Sequence, residues 1–348
     1  MIRKITVSRD ESVYEAWPDV TMTRSGKLIA VFTECEHHLD RDKSRLVLKE
    51  SRDKGETWGE KIYFTPLAEK KPGETFCYYN CARVGTLGGD RVYVLCDRIV
   101  GDEHNAAEIY LWISRDDGKT WDEPLKVPLC GIVPDKITEL KSGRIIVAAH
   151  FRGKSGKLVE RLVYSDDGMK SWSEPVVVAD DPRYNLCEVS ILPCENVLVA
   201  FLRENSNMGC PILKTFSYDE GKTWSELYPT SMDSGHRPVS GFLRDGGVMV
   251  TYRYIPRGTQ NVFAAFFDKT ALTAKDRKDQ RVRIMPLDYD RNPSPDLGYT
   301  GWVQFDDGEI LVVNYIKDDA DKAFIRAYKF KREDVVLPVT ERTTRNVF

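Results

Sequence analysis

The side chains of this chain that could do chemistry recur at two kinds of place: at the start of an apolar run, and at the far end of the run that follows it. The first set comprises Trp17, Asp19, Asn80, Asp135, Lys136, Glu188, Arg237 and Tyr299, and the second comprises Arg203, Arg253 and Arg257. Carboxylate, phenol and guanidinium are the groups that move protons, attack a carbon centre and hold an anion. Arginine suits the last task because its planar fork meets a carboxylate through two parallel hydrogen bonds, which lysine cannot do. Glu188 and Arg203 could equally pair with each other as a structural ion pair. Asp135 could cap a turn or form an acid/base pair with Glu188. A further titratable cluster, TECEHHLDRDKS at 33–44, contains His37, His38, Asp40 and Asp42.

Elements of known geometry must bring these scattered positions together, and internal repeats supply them. A turn of the form Ser-x-Asp-x-Gly-x-Thr-Trp occurs as SRDKGETW (51–58), SRDDGKTW (114–121), YSDDGMKSW (164–172) and SYDEGKTW (217–224). In such a hairpin Asp accepts backbone N–H bonds, Gly supplies the positive φ and Trp packs beneath. The third copy reads with Tyr164 at the Ser position and one extra residue between Gly168 and Trp172. The glycines at 55, 118, 168 and 221 lie 63, 50 and 53 residues apart, the size of one four-stranded propeller blade.

A second repeat extends the count to six. Each copy is a polar or proline start, an apolar run, a turn and another apolar run, at 17–32, 80–97, 134–151, 187–204, 237–254 and 299–315. These read as the two inner strands of six blades in one domain spanning 1–348. FIRAYKFKRE (324–333) is expected as the third strand of blade six and RKITVSRDES (3–12) as its fourth, which removes an open sheet edge. The fold expected is therefore all-β, a six-bladed β-propeller with four-stranded antiparallel blades. ALTAKDRKDQ (271–280) reads as at most one helical turn.

Composition narrows the partners. A formal net charge of −3 gives no global field for nucleic acid or anionic lipid, so an anion must be held by local arginines. No run approaches the eighteen apolar residues of a membrane helix. The eight cysteines lack the paired spacing of a zinc site and read mostly as buried thiols, so neither a metal nor another cofactor is expected. MIRKITVSRDES has no apolar leader core. That implies a cytoplasmic chain, or a secreted or periplasmic one if a leader has been removed.

The repeated boxes together with GYTGWVQFDDGEILVVNY at 298–315 resemble the sialidase superfamily of glycoside hydrolases. The resemblance implies a Tyr nucleophile at Tyr299, a Glu base at Glu188 and a substrate-binding arginine at Arg203, fifteen residues on. Arg253, Arg257 or Arg237 would supply a second contact. A tyrosine suits a sugar bearing a carboxylate at its anomeric carbon, because an anionic nucleophile would be repelled. The acid that protonates the leaving oxygen would be Asp40, eleven residues before Ser51, with Asp42, His37 and His38 as alternatives. Where sialidases begin their first blade with Arg-Ile-Pro, this chain reads Ala16-Trp17-Pro18. The missing guanidinium points toward another acidic sugar, such as a uronic acid, with Trp17 stacking on the ring. Two other readings stand beside this one: a glycosidase using a carboxylate pair, Asp135 or Asp40 with Glu188, and a propeller that binds saccharide without cleaving it.

Overall fold

The computed structural model describes residues 1–336 except 102 and 257. Six antiparallel sheets follow one another around an axis. The first contains Tyr14–Met22, Leu28–His37, Asp40–Ser51 and Ile62–Tyr63, with Ala68–Glu69 also paired to its third strand. The next four begin on Cys77–Leu87, Thr138–Glu139, Leu186–Cys194 and Gly235–Phe242. The sixth uses Leu297–Gln304, Ile310–Ile316 and Phe324–Phe330, and the N-terminal strand Arg3–Ser8 completes it. Arg3 pairs with Lys329 and Ile5 with Ala327, so the N-terminal strand covers the outer edge of Phe324–Phe330 and ties the first residues to the last blade. All six expected inner hairpins are present. Segment 271–280 holds only the end of a short helix, Lys269–Thr273, and a single 3-10 turn, Arg277–Asp279.

Inner strands such as Leu28–His37 and Ile310–Ile316 are apolar on both faces because each sheet is packed on both sides. Six apolar clusters result, one for every pair of neighbouring blades. Ile29 and Val31 of the first blade meet Val84 and Val94 of the second, for example, and Leu311 and Val313 of the sixth meet Leu28 and Ala30 of the first. Five of the eight cysteines are buried, Cys77 and Cys210 are half-buried and Cys130 is exposed; all are free thiols.

The boxes hold these interfaces from the rim. In the first, Ser51 Oγ donates to Asp53 Oδ1 at 2.8 Å, Gly55 N donates to Ser51 Oγ at 2.9 Å, and Thr57 N donates to Asp53 Oδ1 at 3.0 Å. Trp58, Trp121, Trp172 and Trp224 each pack into the cluster between their own blade and the preceding one. The third box corrects the sequence reading. The bonds run from Ser165 Oγ to Asp167 Oδ1, from Met169 N to Ser165 Oγ and from Ser171 N to Asp167 Oδ1, so the motif starts at Ser165 and contains no extra residue. Met169 occupies the glycine position with φ 73°. A methionine in left-handed backbone carries no sequence signal, and the adjacent Gly168 attracted the assignment instead.

Gly55 is needed twice over: its φ is +80°, and a Cβ there would fall 2.2 Å from Leu311 Cδ1 of the sixth blade. Gly26, at φ +84°, has open space around the same atom. Both Gly→Ala variants should lose about 1 kcal/mol to backbone strain. Gly55→Ala should lose about 1–2 kcal/mol more through overpacking, read as a lower urea midpoint. Equal midpoints for the two variants would show that the first box does not brace the closing interface.

Candidate active site

The innermost strands of five blades share one irregularity, two residues set against one on the adjoining strand. Trp17–Pro18, Cys81–Ala82, Glu188–Val189, Arg237–Pro238 and Tyr299–Thr300 interrupt the ladders in this way. In the third blade Ile132 pairs in isolation with His150, which leaves Val133 in the equivalent place. The first bulged residue is left-handed in every blade, with φ of 54° at Trp17, 45° at Cys81, 53° at Val133, 53° at Glu188, 49° at Arg237 and 55° at Tyr299. An unbroken strand would send these side chains alternately into the two blade interfaces; a bulge re-aims one of them, here toward the axis.

A second ring comes from the adjoining strand. Thr33, Asp97, His150, Arg203, Arg253 and Tyr315 each pair with the residue just before the bulge of their own blade. Two residues beyond each bulge a third ring begins, with Asp19, Arg83 and Asp135 in the first three blades.

On the axis the Tyr299 hydroxyl donates a short hydrogen bond to Glu188 Oε1, and Arg203 Nη1 donates to the same oxygen at 2.9 Å. Three more guanidinium groups approach the Tyr299 ring, Arg237 at 5.6 Å, Arg253 at 5.7 Å and Arg83 at 5.8 Å from its centroid. Arg237 donates to Val189 O and Pro134 O, both at 3.2 Å, and Arg253 to Leu297 O at 3.2 Å. Among the described residues four donors of this centre have no acceptor: Nε of Arg203, Arg237 and Arg253, and Nη2 of Arg83. Glu188 Oε2 is likewise unpartnered. Tyr299 is 7% exposed and Glu188 3%, so these groups face one another with little water between them.

Burial alone would raise the Glu188 pKa, but the charges of Arg203, Arg237 and Arg253 and the Tyr299 hydrogen bond outweigh it and hold the carboxylate well below its usual range. Burial, and then the negative charge of Glu188, push the Tyr299 phenol well above its ordinary value. At rest the proton therefore sits on the phenol and the charge on the carboxylate.

Beside this centre stands an aromatic wall. Tyr315 lies 6.4 Å from Tyr299 and 6.0 Å from Trp17, and Trp17 meets the His38 ring edge-on at 5.4 Å. Asp296 ties the wall together. It accepts from Tyr315 at 3.0 Å, from Tyr14 through a short bond, and binds His38 Nδ1 at 2.6 Å. Burial raises the Asp296 pKa, but the His38 bond and charge and the Tyr14 bond overcome it, so the carboxylate is held low.

Tyr299, Glu188, Arg203, Arg237 and Arg253 thus meet at one centre, with Trp17 and His38 on its flank; Trp17 is 2% exposed and its face is covered by Arg41, so it is not free to stack on a sugar as expected. Asp40 does not join them. It is exposed at the tip of the hairpin between Leu28–His37 and Asp40–Ser51, where its Oδ1 accepts from Asp42 N at 3.0 Å. Asp135 serves the scaffold, its Oδ2 accepting from Ile191 N of the next blade at 2.8 Å. Arg257 lies outside the described residues. Sequence reasoning missed Arg83, Asp296, Tyr14, Tyr315 and Arg41, whose guanidinium lies 4.0 Å over the Trp17 ring. The usable signal was spacing: from first ring to second, four of the six blades step by sixteen residues, Trp17 to Thr33, Cys81 to Asp97, Arg237 to Arg253 and Tyr299 to Tyr315.

The family model of the BNR repeat-like domain matches residues 86–315. Among solved structures, a protein of unknown function from Dyadobacter fermentans is 22% identical, with a TM-score of 0.77 over 94% of this chain and 98% of its own. A Hadza microbial sialidase is 17% identical with a TM-score of 0.69, covering 96% of this chain and 69% of its own. The Trypanosoma rangeli sialidase is 15% identical with a TM-score of 0.69, covering 94% of this chain and 59% of its own. This chain thus spans less than two thirds of that last protein. At these identities the likeness is one of fold. No curated protein matches the chain.

His236, next to the Arg237 bulge, is buried with Nδ1 unpartnered. Burial first, then the charges of Arg203 and Arg253, push its pKa down to about 3. An unfolded histidine titrates near 6.5, so the stability this neutral group contributes is present above about pH 6.5 and drains away as pH falls toward 3. Between pH 7 and 5 the wild type should lose more stability in urea than His236→Phe. Identical losses would remove His236 from the acid response.

Proposed function

Because the chain belongs to the BNR repeat-like domain family, we propose that it is an exo-acting glycoside hydrolase for a terminal acidic sugar, with Tyr299 as nucleophile and Glu188 as its base. The Tyr299–Glu188 hydrogen bond carries this reading. It joins a nucleophile to a base in one buried contact, and Arg203 on the same carboxylate oxygen fixes the base in place.

The electrostatics supply the timing. Arg203, Arg237 and Arg253 face Glu188, and their charge makes it a weak base before substrate arrives. A substrate carboxylate set among them offsets their charge, which raises the basicity of Glu188 as the sugar arrives. The phenol proton then moves to Glu188 as the phenol oxygen attacks the anomeric carbon. Arg203, whose side chain is 12% exposed, is the group that would take up the substrate carboxylate, with Arg253 beside it and the buried Arg237 and Arg83 adding their charge. One similar structure is the Trypanosoma rangeli sialidase in complex with sialic acid, and sialic acid is one member of the substrate class inferred here. Trp17, in place of an arginine, widens that class to uronic acids. A carboxylate pair is less well supported, since Asp135 already holds the next blade and Asp40 is exposed.

A panel of 4-methylumbelliferyl glycosides that includes sialic and uronic acids tests the reading. Wild type should cleave at least one acidic member, and Tyr299→Phe should lower kcat on it by more than about a thousandfold. Equal turnover by the Phe variant would eliminate the tyrosine mechanism. An inert wild type that still binds the sugars would leave a binding propeller.

A further inference from the structure

We infer that the group protonating the leaving oxygen is His38, held for that task by Asp296; this rests on the hydrolase reading above. An acid for the aglycone must stand at the edge of the pocket, present a free polar atom and be fixed in orientation. His38 meets the last two conditions, and a chain of ring contacts ties it to the centre. Its ring adjoins Trp17 at 5.4 Å, in the wall that runs through Tyr315 to Tyr299. Its side chain is 32% exposed, the open member of an otherwise closed cluster. Its Nδ1 lies 2.6 Å from Asp296 Oδ2.

That last contact fixes the tautomer. Asp296 is an ionised carboxylate, so it accepts the Nδ1 proton and leaves Nε2 as the atom that gives or takes a proton. The arrangement follows the general rule that a carboxylate behind an imidazole orients it and supports its charged form. Asp296 is itself immobilised by Tyr14 and Tyr315, from the first and sixth blades. The loop is pinned as well: Arg41 donates to His37 O at 3.2 Å and to His38 O, with its guanidinium over Trp17. The charged and titratable groups facing His38 are therefore Asp296, Arg41, Tyr14 and His37. Asp40, in contrast, projects from the hairpin tip and is hydrogen-bonded within its own turn.

The proton inventory closes. As Tyr299 Oη bonds to the anomeric carbon, the phenol proton passes to Glu188, the glycosidic C–O bond breaks, and its electron pair leaves on the aglycone oxygen, which takes the Nε2 proton of His38. In the second half, water attacks the anomeric carbon, His38 Nε2 removes its proton, and the sugar–Tyr299 bond breaks with return of the proton from Glu188. Water is the sole co-reactant.

Two aryl glycosides of the acidic sugar that wild type cleaves decide the matter, one with a phenyl and one with a 2,4-dinitrophenyl leaving group. A good leaving group departs without an acid. His38→Ala should therefore lose about a hundredfold or more in kcat on the phenyl glycoside and under about tenfold on the dinitrophenyl glycoside. Asp296→Asn should share that asymmetry in weaker form, and imidazole 15N spectra should show its His38 leaving the Nδ1–H tautomer. Equal losses on both substrates, or a leaving-group-dependent loss in Asp40→Asn instead, would overturn the assignment. If His38→Ala shows equal losses while Tyr299→Phe is inactive, only this inference fails. If wild type cleaves neither glycoside, the hydrolase reading fails and this inference falls with it.

Discussion

The structure depends on a strained residue repeated around a ring. Each blade holds a non-glycine residue in left-handed backbone at the bulge of its innermost strand, at a cost of about 1–2 kcal/mol for each L-residue. Val133 is the severest case, since a β-branched side chain is least tolerant of that region. The packed blade interfaces on both sides of every sheet hold the strain in place. What it produces is a turn of one side chain per blade out of the sheet and toward the axis. Without it, Glu188 and Tyr299 would point into blade interfaces and could not meet.

The second ring divides into scaffold and chemistry according to what its side chains can accept. Asp97 of the second blade accepts the N–H of Val133 at 3.1 Å, and His150 of the third accepts the N–H of Glu188 at 3.4 Å. Each thereby anchors the strained residue of the following blade. The equivalent residues in blades four and five are Arg203 and Arg253, which have no acceptor and so cannot serve as such anchors. Arg203 donates to Glu188 at the axis instead, and Arg253 reaches the next blade as a donor, to Leu297 O. Charge follows the same division. Burial raises Asp97 to about 7, and it also raises Asp135 and Glu160, so the scaffold side favours neutral acids. Glu188, by contrast, is held low, because Arg203, Arg237 and Arg253 together with the Tyr299 hydrogen bond outweigh its burial. The charged carboxylate of Glu188 thus sits against the Tyr299 hydroxyl.

How far this was legible in the sequence follows from what each signal encodes. Boxes and apolar runs are local patterns, and they placed all six hairpins and the closure by Arg3–Ser8. A bulge is a local insertion that alternation does not register, so the residues it aims were approximated as strand starts. That approximation found Trp17, Glu188, Arg237 and Tyr299, which sit on the bulges themselves. It missed Arg83, two residues past a bulge, because nothing in NCARVGTL distinguishes a buried arginine from one at a strand edge. Asp296 was invisible for a different reason. It precedes its strand in PSPDLGYTG, among residues that read as a turn, and acquires meaning only when Tyr14 from the other end of the chain folds against it.

Tryptophan at the first bulge, where a sialidase would carry arginine, can be weighed in the same terms. Three guanidinium groups still stand within 6 Å of the Tyr299 ring, and one of them, Arg83, comes from the blade next to Trp17 and is 1% exposed. The positive charge lost from the first bulge is thus matched by one set a layer deeper and less screened by water. The place it vacated is not empty either. Trp17 carries Arg41 on its face and His38 at its edge, and an arginine in that position would repel the first and offer the second no ring to pack against. The substitution exchanges a clamp at the pocket rim for an aromatic support under the loop that brings His38 to Asp296. The loop and the bulge are therefore parts of one arrangement, in which the arginine cluster and the aromatic wall are packed side by side.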